Sequence, residues 1–173
     1  KSELPMIDKT IDLSNEIAIV TGATSGLGWR FAKLLSAQGA KVAIAGRRVE
    51  RLDALAKEIS DAGGTVLCVP TDMSDMAQVE ALTEIVEDQL GLPTILVNNA
   101  GIADGQLATK LDVAFIEQLV AVNLTGPFLL AREVAKRLIK TKTPGRIVNI
   151  ASIAAYSYDG NGAALYSTSK GAI

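Results

Sequence analysis

The sequence predicts an α/β fold with a doubly wound parallel sheet, formed as a single domain over residues 1–173. Short β-branched runs alternate with amphipathic segments longer than ten residues, and glycines stand where the helices should end. This alternation is typical of right-handed βαβ units, whose parallel strands are covered by helices on both faces. We therefore expect buried strands, with any ligand bound at their carboxyl ends.

Five strands and five helices are expected along the chain. The strands are predicted at Ile17–Val20, Val42–Ala45, Val66–Val69, Ile95–Val97 and Ile147–Ile150, and the helices at Leu27–Gln38, Glu50–Ala62, Asp75–Leu90, about Leu111–Lys140, and from Ala164 to Ile173. Gly39, Gly63 and Gly91 stand at the C-caps of the first three helices. Because a six-stranded doubly wound sheet needs another βα unit of roughly 30 residues, we expect a domain truncated after its fifth strand, without its C-terminal strands and substrate loop.

Composition excludes several function classes. The chain has no histidine, which removes Ser/His/Asp and Cys/His triads and histidine-ligated metals. Its one cysteine, Cys68, cannot form an internal disulfide or a multi-thiolate zinc site, and this indicates a reducing, cytoplasmic compartment. A net charge of −2 gives no basic surface for nucleic acid. If the chain is catalytic, its proton must move through Tyr, Lys, Asp, Glu or Cys.

A membrane-spanning segment is not expected. The longest uncharged apolar run, 119–131, is interrupted by Asn123, Thr125, Gly126 and Pro127. We therefore expect a soluble protein that acts on a small molecule.

A glycine-rich turn joins the first predicted strand to the first predicted helix. Gly22, Gly26 and Gly28 form the pattern G-x-x-x-G-x-G, which differs from the G-x-G-x-x-G fingerprint and is not a Walker A loop. Glycine lets backbone N–H groups approach a pyrophosphate at the positive end of the helix. The pattern favours a Rossmann-like dinucleotide site, and an ordinary βα turn is the alternative.

The end of the second predicted strand reads Gly46-Arg47-Arg48. In a dinucleotide fold an acidic residue here binds the ribose 2′-hydroxyl, whereas an arginine accommodates a 2′-phosphate. Two cations at the start of a helix oppose its dipole, which suggests that an anion lies between them. We therefore expect NADP rather than NAD, although NAD is possible and two solvated arginines are the alternative.

Polar residues also follow the third and fourth predicted strands. Asp72 comes just after the third strand, and Asn98, Asn99, Ala100 and Gly101 follow the fourth. Both groups belong at the ligand-binding edge of the sheet. Alternatively, Asp72 belongs to the turn before the next helix, and the two asparagines bond their own backbone in a turn.

Tyr166 and Lys170 stand four residues apart in the last predicted helix, so their Cβ atoms should lie about 5–6 Å apart on one face. A positive charge about 4 Å from a phenol favours the phenolate by roughly 4 kcal/mol at an effective dielectric constant of about 20. Lys170 could thus make Tyr166 a usable acid–base group. Taken alone, the spacing is a weak signal, because any helix can carry a tyrosine and a lysine four residues apart on its solvent-exposed face.

Two further residues belong to this constellation. Ser152 stands two residues beyond the fifth predicted strand, where its hydroxyl could bond a substrate oxygen. Asn123 is a poor helix former inside the long helix, and Pro127 lacks the N–H that would bond the Asn123 carbonyl. The freed carbonyl could hold a water or accept from a lysine. A simple helix kink is the alternative.

In this order, the motifs closely resemble those of the short-chain dehydrogenase/reductase family over nearly the whole chain. The resemblance implies that Tyr166 exchanges a proton with a carbonyl or alcohol while hydride passes to or from a nicotinamide. Ser152 would orient the substrate oxygen. Lys170 would hold the nicotinamide ribose and assist Tyr166, and Asn123 would hold a water that links Lys170 to solvent. Arg47 would read the 2′-phosphate. The residues implied to bind the cofactor are Thr21, Gly22, Ser25, Leu27, Gly28, Arg47, Arg48, Asp72, Met73, Asn99, Ala100, Gly101, Tyr166 and Lys170. The family also implies a homo-oligomer, a dimer or tetramer.

Two other functions compete with this interpretation. Ser167 to Lys170 satisfies S-x-x-K, the nucleophile pattern of penicillin-binding proteins, but the required Ser-Asp-Asn and Lys-Thr-Gly partners are missing from the sequence. The other alternative is a dinucleotide-binding fragment or module without turnover. The substrate itself cannot be predicted, because family members build most of that pocket after the tyrosine motif.

Overall fold

The computed structural model describes residues 11–157 and 162–173, which form a parallel sheet flanked by helices. The strands are β1 (Ile17–Thr21), β2 (Lys41–Gly46), β3 (Val66–Pro70), β4 (Ile95–Asn98) and β5 (Arg146–Asn149). The helices are α1 (Gly26–Ala37), α2 (Val49–Asp61), α3 (Met76–Gln89), α4 (Val113–Val120), α5 (Gly126–Thr141) and α6 (Ala164–Ala172). Short 3₁₀ turns cover Ala108–Lys110 and Ile153–Ala155, and a π turn covers Ala121–Thr125.

The sheet has the strand order β3-β2-β1-β4-β5, and every pair is parallel. The chain builds outward from β1 to β3 and then crosses back to place β4 on the other side of β1. The strand order therefore reverses between β1 and β4, and ligands of such sheets bind in the crevice at that point, beyond the carboxyl ends. The predicted doubly wound, Rossmann-like fold is confirmed.

Two apolar layers hold the helices against the sheet. On one face, Val20 and Ile44 pack with Leu52 and Leu55 of α2, and α1 lies on the same side. On the other face, strand residues pack with α3 and α5. Fully burying a side chain of this size contributes about 1.5–3 kcal/mol. These layers fix the strand ends, and with them the positions of the loops that carry the polar residues.

Most element bounds lie within two residues of those predicted. Gly39, Gly63 and Gly91 have φ of 98°, 83° and 110°, the left-handed conformation expected just after a helix. The fifth strand was predicted one residue too late, because the register pairs Arg146 with Ile95 at its start. Ser152 therefore lies three residues past β5 rather than two.

The predicted long helix begins at Val113, two residues later than expected, because the Asp112 carboxylate accepts a hydrogen bond from Phe115 N and caps it. It runs through the π turn to Thr141, and this 29-residue helix is long and apolar enough to cross a membrane by length and composition alone. In the fold Leu119, Leu130 and Val134 of this helix are fully buried in the protein. Phe128 and Ile139 are exposed, so burial accounts for only part of the apolar composition.

The expectation that all strands are buried is wrong for β5. Ile147 and Val148 are 39% and 45% exposed, whereas Ala18, Ile19 and Val20 of the central strand are fully buried. Among the residues that the structure describes, no strand pairs with the outer side of β5. An edge strand lacks the neighbour that would cover it.

Candidate functional site

Two adjoining cavities lie along the carboxyl edge of the sheet, at the reversal of strand order. The first has a volume of about 300 Å³ and is lined by Gly22, Thr24, Ser25, Gly46, Arg47, Arg48, Thr71, Asp72, Met73, Asn99, Ala100, Gly101, Ile102 and Val122. The second has a volume of about 410 Å³ and is lined by Leu27, Asn99, Gly101, Ile102, Ala103, Ile150, Ala151, Ser152, Tyr166 and Lys170. Both volumes fall in the range of small-molecule sites. The shared Asn99, Gly101 and Ile102 make the two cavities neighbours.

The glycine-rich turn is fastened to the end of β4. Asn99 Nδ2 donates to Thr21 O at 3.0 Å and to Gly22 O at 3.3 Å, and Thr21 Oγ1 accepts from the backbone N–H groups of Asn99 and Ala100. Gly22 has φ +65°, and a Cβ there would lie 2.8 Å from Ala100 Cα. Thr21 and Gly28 line neither cavity, and their contacts fasten the turn to Asn99. Asn99 bonds this neighbouring turn, not its own backbone.

We expect Gly28→Ala to disturb this fastening. A Cβ at position 28 would lie 2.4 Å from Gly22 O and 2.5 Å from Asn99 Nδ2, and the first of these atoms belongs to the backbone. Overpacking of this kind costs about 1–3 kcal/mol, which exceeds or cancels the roughly 1 kcal/mol that alanine gains over glycine in a helix. Urea unfolding should show the loss of stability.

The matched control for this substitution is Gly105→Ala, because a Cβ at position 105 meets nothing within 4 Å. A Gly28→Ala protein more stable than the natural chain would contradict the assigned packing role.

The two arginines after β2 occupy different positions. Arg48 donates from Nε and Nη2 to Thr24 Oγ1 at 3.1 and 2.6 Å, and from Nη2 to Ser25 Oγ at 3.0 Å. Arg47 is more loosely placed, with its side chain 57% exposed and Nη1 3.9 Å from Asp72 Oδ2. Both line the first cavity, Arg48 held by hydrogen bonds and Arg47 largely exposed to solvent.

Asp72 is held in a turn and also faces the first cavity. Its Oδ1 accepts from the Ser74 N–H at 2.9 Å and from the Ser74 hydroxyl at 2.7 Å. Burial raises the pKa of Asp72, but these hydrogen bonds and the nearby Arg47 outweigh it and hold the pKa below its usual value. The carboxylate is therefore ionised at neutral pH. Asp75, three residues later, caps α3 through Ala77 N and Gln78 N.

Tyr166 and Lys170 share one face of α6 and both line the second cavity, with Lys170 Nζ 5.8 Å from the centre of the Tyr166 ring. Lys170 is only 6% exposed, and its Nζ donates to Ile150 O at 2.7 Å. Burial lowers the pKa of Lys170. Ser152 Oγ accepts from Ala154 N at 3.2 Å, which leaves its own proton free to be donated.

The buried side chain of Asn123 joins the π turn to two other segments. Its Oδ1 accepts from Ile102 N at 2.9 Å, and its Nδ2 donates to Ile102 O at 2.8 Å and to Ser169 Oγ at 3.0 Å. The Ser169 hydroxyl in turn donates to Tyr166 O at 2.7 Å. The lysine that the sequence suggested for the Asn123 carbonyl bonds the Ile150 carbonyl instead, because α6 brings Lys170 to the end of β5.

Comparison with known proteins places this geometry in a family. The family model described as short chain dehydrogenase matches residues 16–173. The chain belongs to the short-chain dehydrogenase family. This confirms the resemblance that the sequence motifs indicated.

The family members most similar to this chain include proteins with different names. Nodulation protein G of a Rhizobium species is 39% identical over 142 residues, which cover 82% of this chain and 56% of that protein. Galactitol 2-dehydrogenase of Agrobacterium fabrum is 35% identical over 161 residues, covering 93% of this chain and 61% of that protein. The chain thus spans less than two thirds of the length of either relative.

A solved structure of the family has the same fold. The crystal structure of a metagenomic short-chain oxidoreductase in complex with NADP is 37% identical and superposes with a TM-score of 0.86, covering 92% of this chain and 72% of that chain.

Sequence reasoning missed several residues of this short-chain dehydrogenase site, and two of them hold its parts in place. Thr24 lines the first cavity and holds Arg48, although as a turn threonine it gave no distinguishing signal. Asp104 is 8% exposed, and its two carboxylate oxygens accept from Leu165 N and Tyr166 N at 3.3 Å. Asp104 therefore caps α6 from about sixty residues away along the chain, a distance over which local sequence patterns carry no information.

Proposed function

We propose that this chain forms the dinucleotide-binding and catalytic part of an NADP-dependent oxidoreductase that interconverts a carbonyl and a secondary alcohol. One observation carries the proposal. The cavity that holds the glycine-rich turn and two arginines adjoins the cavity that holds Ser152, Tyr166 and Lys170. A ligand that extends through both would bring its far end to an acid–base pair.

The first cavity fits the phosphate-bearing half of a dinucleotide. Gly22 and Ser25 of the glycine-rich turn line this cavity, just before the N-terminus of α1, where backbone N–H groups can approach a pyrophosphate. The positive end of the α1 dipole and the two arginines favour an anion there. The NADP complex of the related metagenomic oxidoreductase supports the same cofactor for this chain.

Arg47 is the residue we assign to the 2′-phosphate. Its side chain is exposed and weakly paired with Asp72, so it can turn onto an incoming anion at small cost. Arg48 is held by Thr24 and Ser25 and adds fixed positive charge to the cavity wall. A glycine at position 46 leaves no carboxylate to bind a free 2′-hydroxyl, which favours NADP over NAD.

In the second cavity Ser152, Tyr166 and Lys170 divide the chemistry. The nicotinamide, when bound, supplies or accepts the hydride. Tyr166 gives its phenolic proton to the carbonyl oxygen, or takes one from the alcohol, and the Lys170 ammonium stabilises the phenolate electrostatically. Ser152 donates its free hydroxyl proton to the same substrate oxygen.

Asn123 has a positioning role, because it holds other residues of the site in place and lines neither cavity itself. Its side chain holds the backbone of Ile102, which lines the second cavity, and Ser169, which precedes Lys170 in α6. It thereby sets the placement of α6, and with it Tyr166 and Lys170. Assembly into a dimer or tetramer, and a cytoplasmic location, stay predictions.

The experiment that tests the proposal is a fluorescence titration of the chain with NADPH and NADH. We expect tighter binding of NADPH, and we expect Arg47→Ala to weaken NADPH binding by about tenfold or more while changing NADH binding little. The reason is that a hydrogen bond to a charged group contributes about 1.5–3 kcal/mol.

Arg132→Ala is the matched control for Arg47→Ala, because this half-exposed arginine pairs with Glu133 on α5 and lines neither cavity. Equal binding of both dinucleotides by the natural chain would contradict the NADP assignment. Binding of neither would contradict the proposed function itself.

A further inference from the structure

Position 46, at the end of β2, is closed to side chains by its neighbour and not by its backbone. Gly46 does not have the positive φ that would require glycine. An ideal Cβ at Gly46 would lie 2.7 Å from Thr24 Cγ2, closer than real Cβ atoms come to any heavy atom. The Thr24 methyl therefore fills the space that a side chain at position 46 would need.

Thr24 cannot readily turn its methyl away. Its Oγ1 accepts two hydrogen bonds from Arg48, and rotation about χ1 would break both. Its backbone is fixed as well, because Arg51 Nε donates to Thr24 O at 3.3 Å and Ala23 N donates to Ala45 O at 3.1 Å. These hydrogen bonds hold Thr24 in the conformation that places its methyl against the end of β2.

The closed position is the one where an acidic side chain would bind the ribose 2′-hydroxyl of NAD. We infer that Thr24 determines cofactor specificity: its methyl excludes an acidic residue from position 46, and its hydroxyl holds Arg48 in the wall of the phosphate-binding cavity. This inference rests on the proposed function. Thr24 would therefore disfavour NAD through its methyl and favour NADP through its hydroxyl.

The steric part is tested without any cofactor by a double-mutant cycle. Gly46→Ala adds only a Cβ, and in the natural background we expect it to lower Tm by about 5 °C, as overpacking of a domain of this size would. In a Thr24→Ser background, which removes the methyl and keeps the hydroxyl, Gly46→Ala should lower Tm by less than half as much. Equal losses in the two backgrounds would overturn the inference.

The specificity part is tested by titrating the variants with NADPH and NADH. Gly46→Asp alone is expected to weaken NADPH binding by about tenfold without improving NADH binding, since the carboxylate has no room. The double variant Thr24→Ser/Gly46→Asp should bind NADH about fivefold or more tightly than Gly46→Asp does. Thr24→Ser is titrated as the reference for the double variant.

The outcomes separate the inference from the proposed function. A Gly46→Asp protein that binds NADH as well as the double variant would overturn the role of Thr24 while leaving the proposed function intact. A natural chain that binds neither dinucleotide would overturn the proposed function, and the specificity inference with it.

Discussion

Tyr166→Phe is expected to lower turnover by about 10²–10⁴-fold, the range that positioned acid–base groups contribute. The phenylalanine keeps the ring in the second cavity and removes only the hydroxyl that exchanges the proton. Dinucleotide binding should change little, because the ring stays in the second cavity and the phosphate-bearing half lies in the first cavity, which does not include this residue. The measurement is the rate of NADPH formation or consumption with a panel of secondary alcohols and the matching carbonyl compounds.

Tyr156→Phe makes the same chemical change as a control, at a tyrosine that is 91% exposed and lines neither cavity. Undiminished turnover in Tyr166→Phe would refute the proton-transfer role.

Asn123→Leu is expected to lower the free energy of unfolding by about 2–4 kcal/mol. Leucine has a similar size, but it leaves the N–H and carbonyl of Ile102 and the hydroxyl of Ser169 without their bonds to Asn123. Each buried polar group left unpaired costs about 1–3 kcal/mol, and partial relaxation or hydration reduces the sum. Chemical denaturation followed by circular dichroism measures the difference.

Gln118→Leu serves as the comparison on the same long helix, since this exposed glutamine should change stability by no more than about 0.5 kcal/mol. If Asn123→Leu proved as stable as Gln118→Leu, the bonds of Asn123 would contribute nothing net to the fold, and its positioning role would lose its basis.

The parts of the fold that could be predicted are those set by neighbours in the chain. The alternation of strands and helices and the glycines after three helices follow from local periodicity and backbone conformation. The end of β5 was misplaced because register is set by the pairing with β4, which the sequence of β5 alone does not contain.

The same division holds for the candidate site. The i, i+4 spacing was enough to place Tyr166 and Lys170 on one helical face. The carbonyl of Ile150 as the partner of Lys170, and Asp104 as the cap of α6, depend on contacts between distant segments. For Asn123, the sequence indicated a helix irregularity and a backbone carbonyl, whereas the side chain makes the decisive contacts, because burial could not be read from a single helix.

The π turn at Ala121–Thr125 limits how the length of this chain can vary. A π turn takes one more residue than an α turn, and one residue corresponds to about 100° of helical rotation. Deleting one residue there would let the turn relax to α geometry and would leave the apolar stripe of α5, Leu130, Val134 and Leu138, nearly in phase with α4. A deletion elsewhere in the long helix has no such reserve and would rotate this stripe by about 100° relative to the sheet. The π turn is therefore the one place in the described helix where the loss of a single residue can be absorbed.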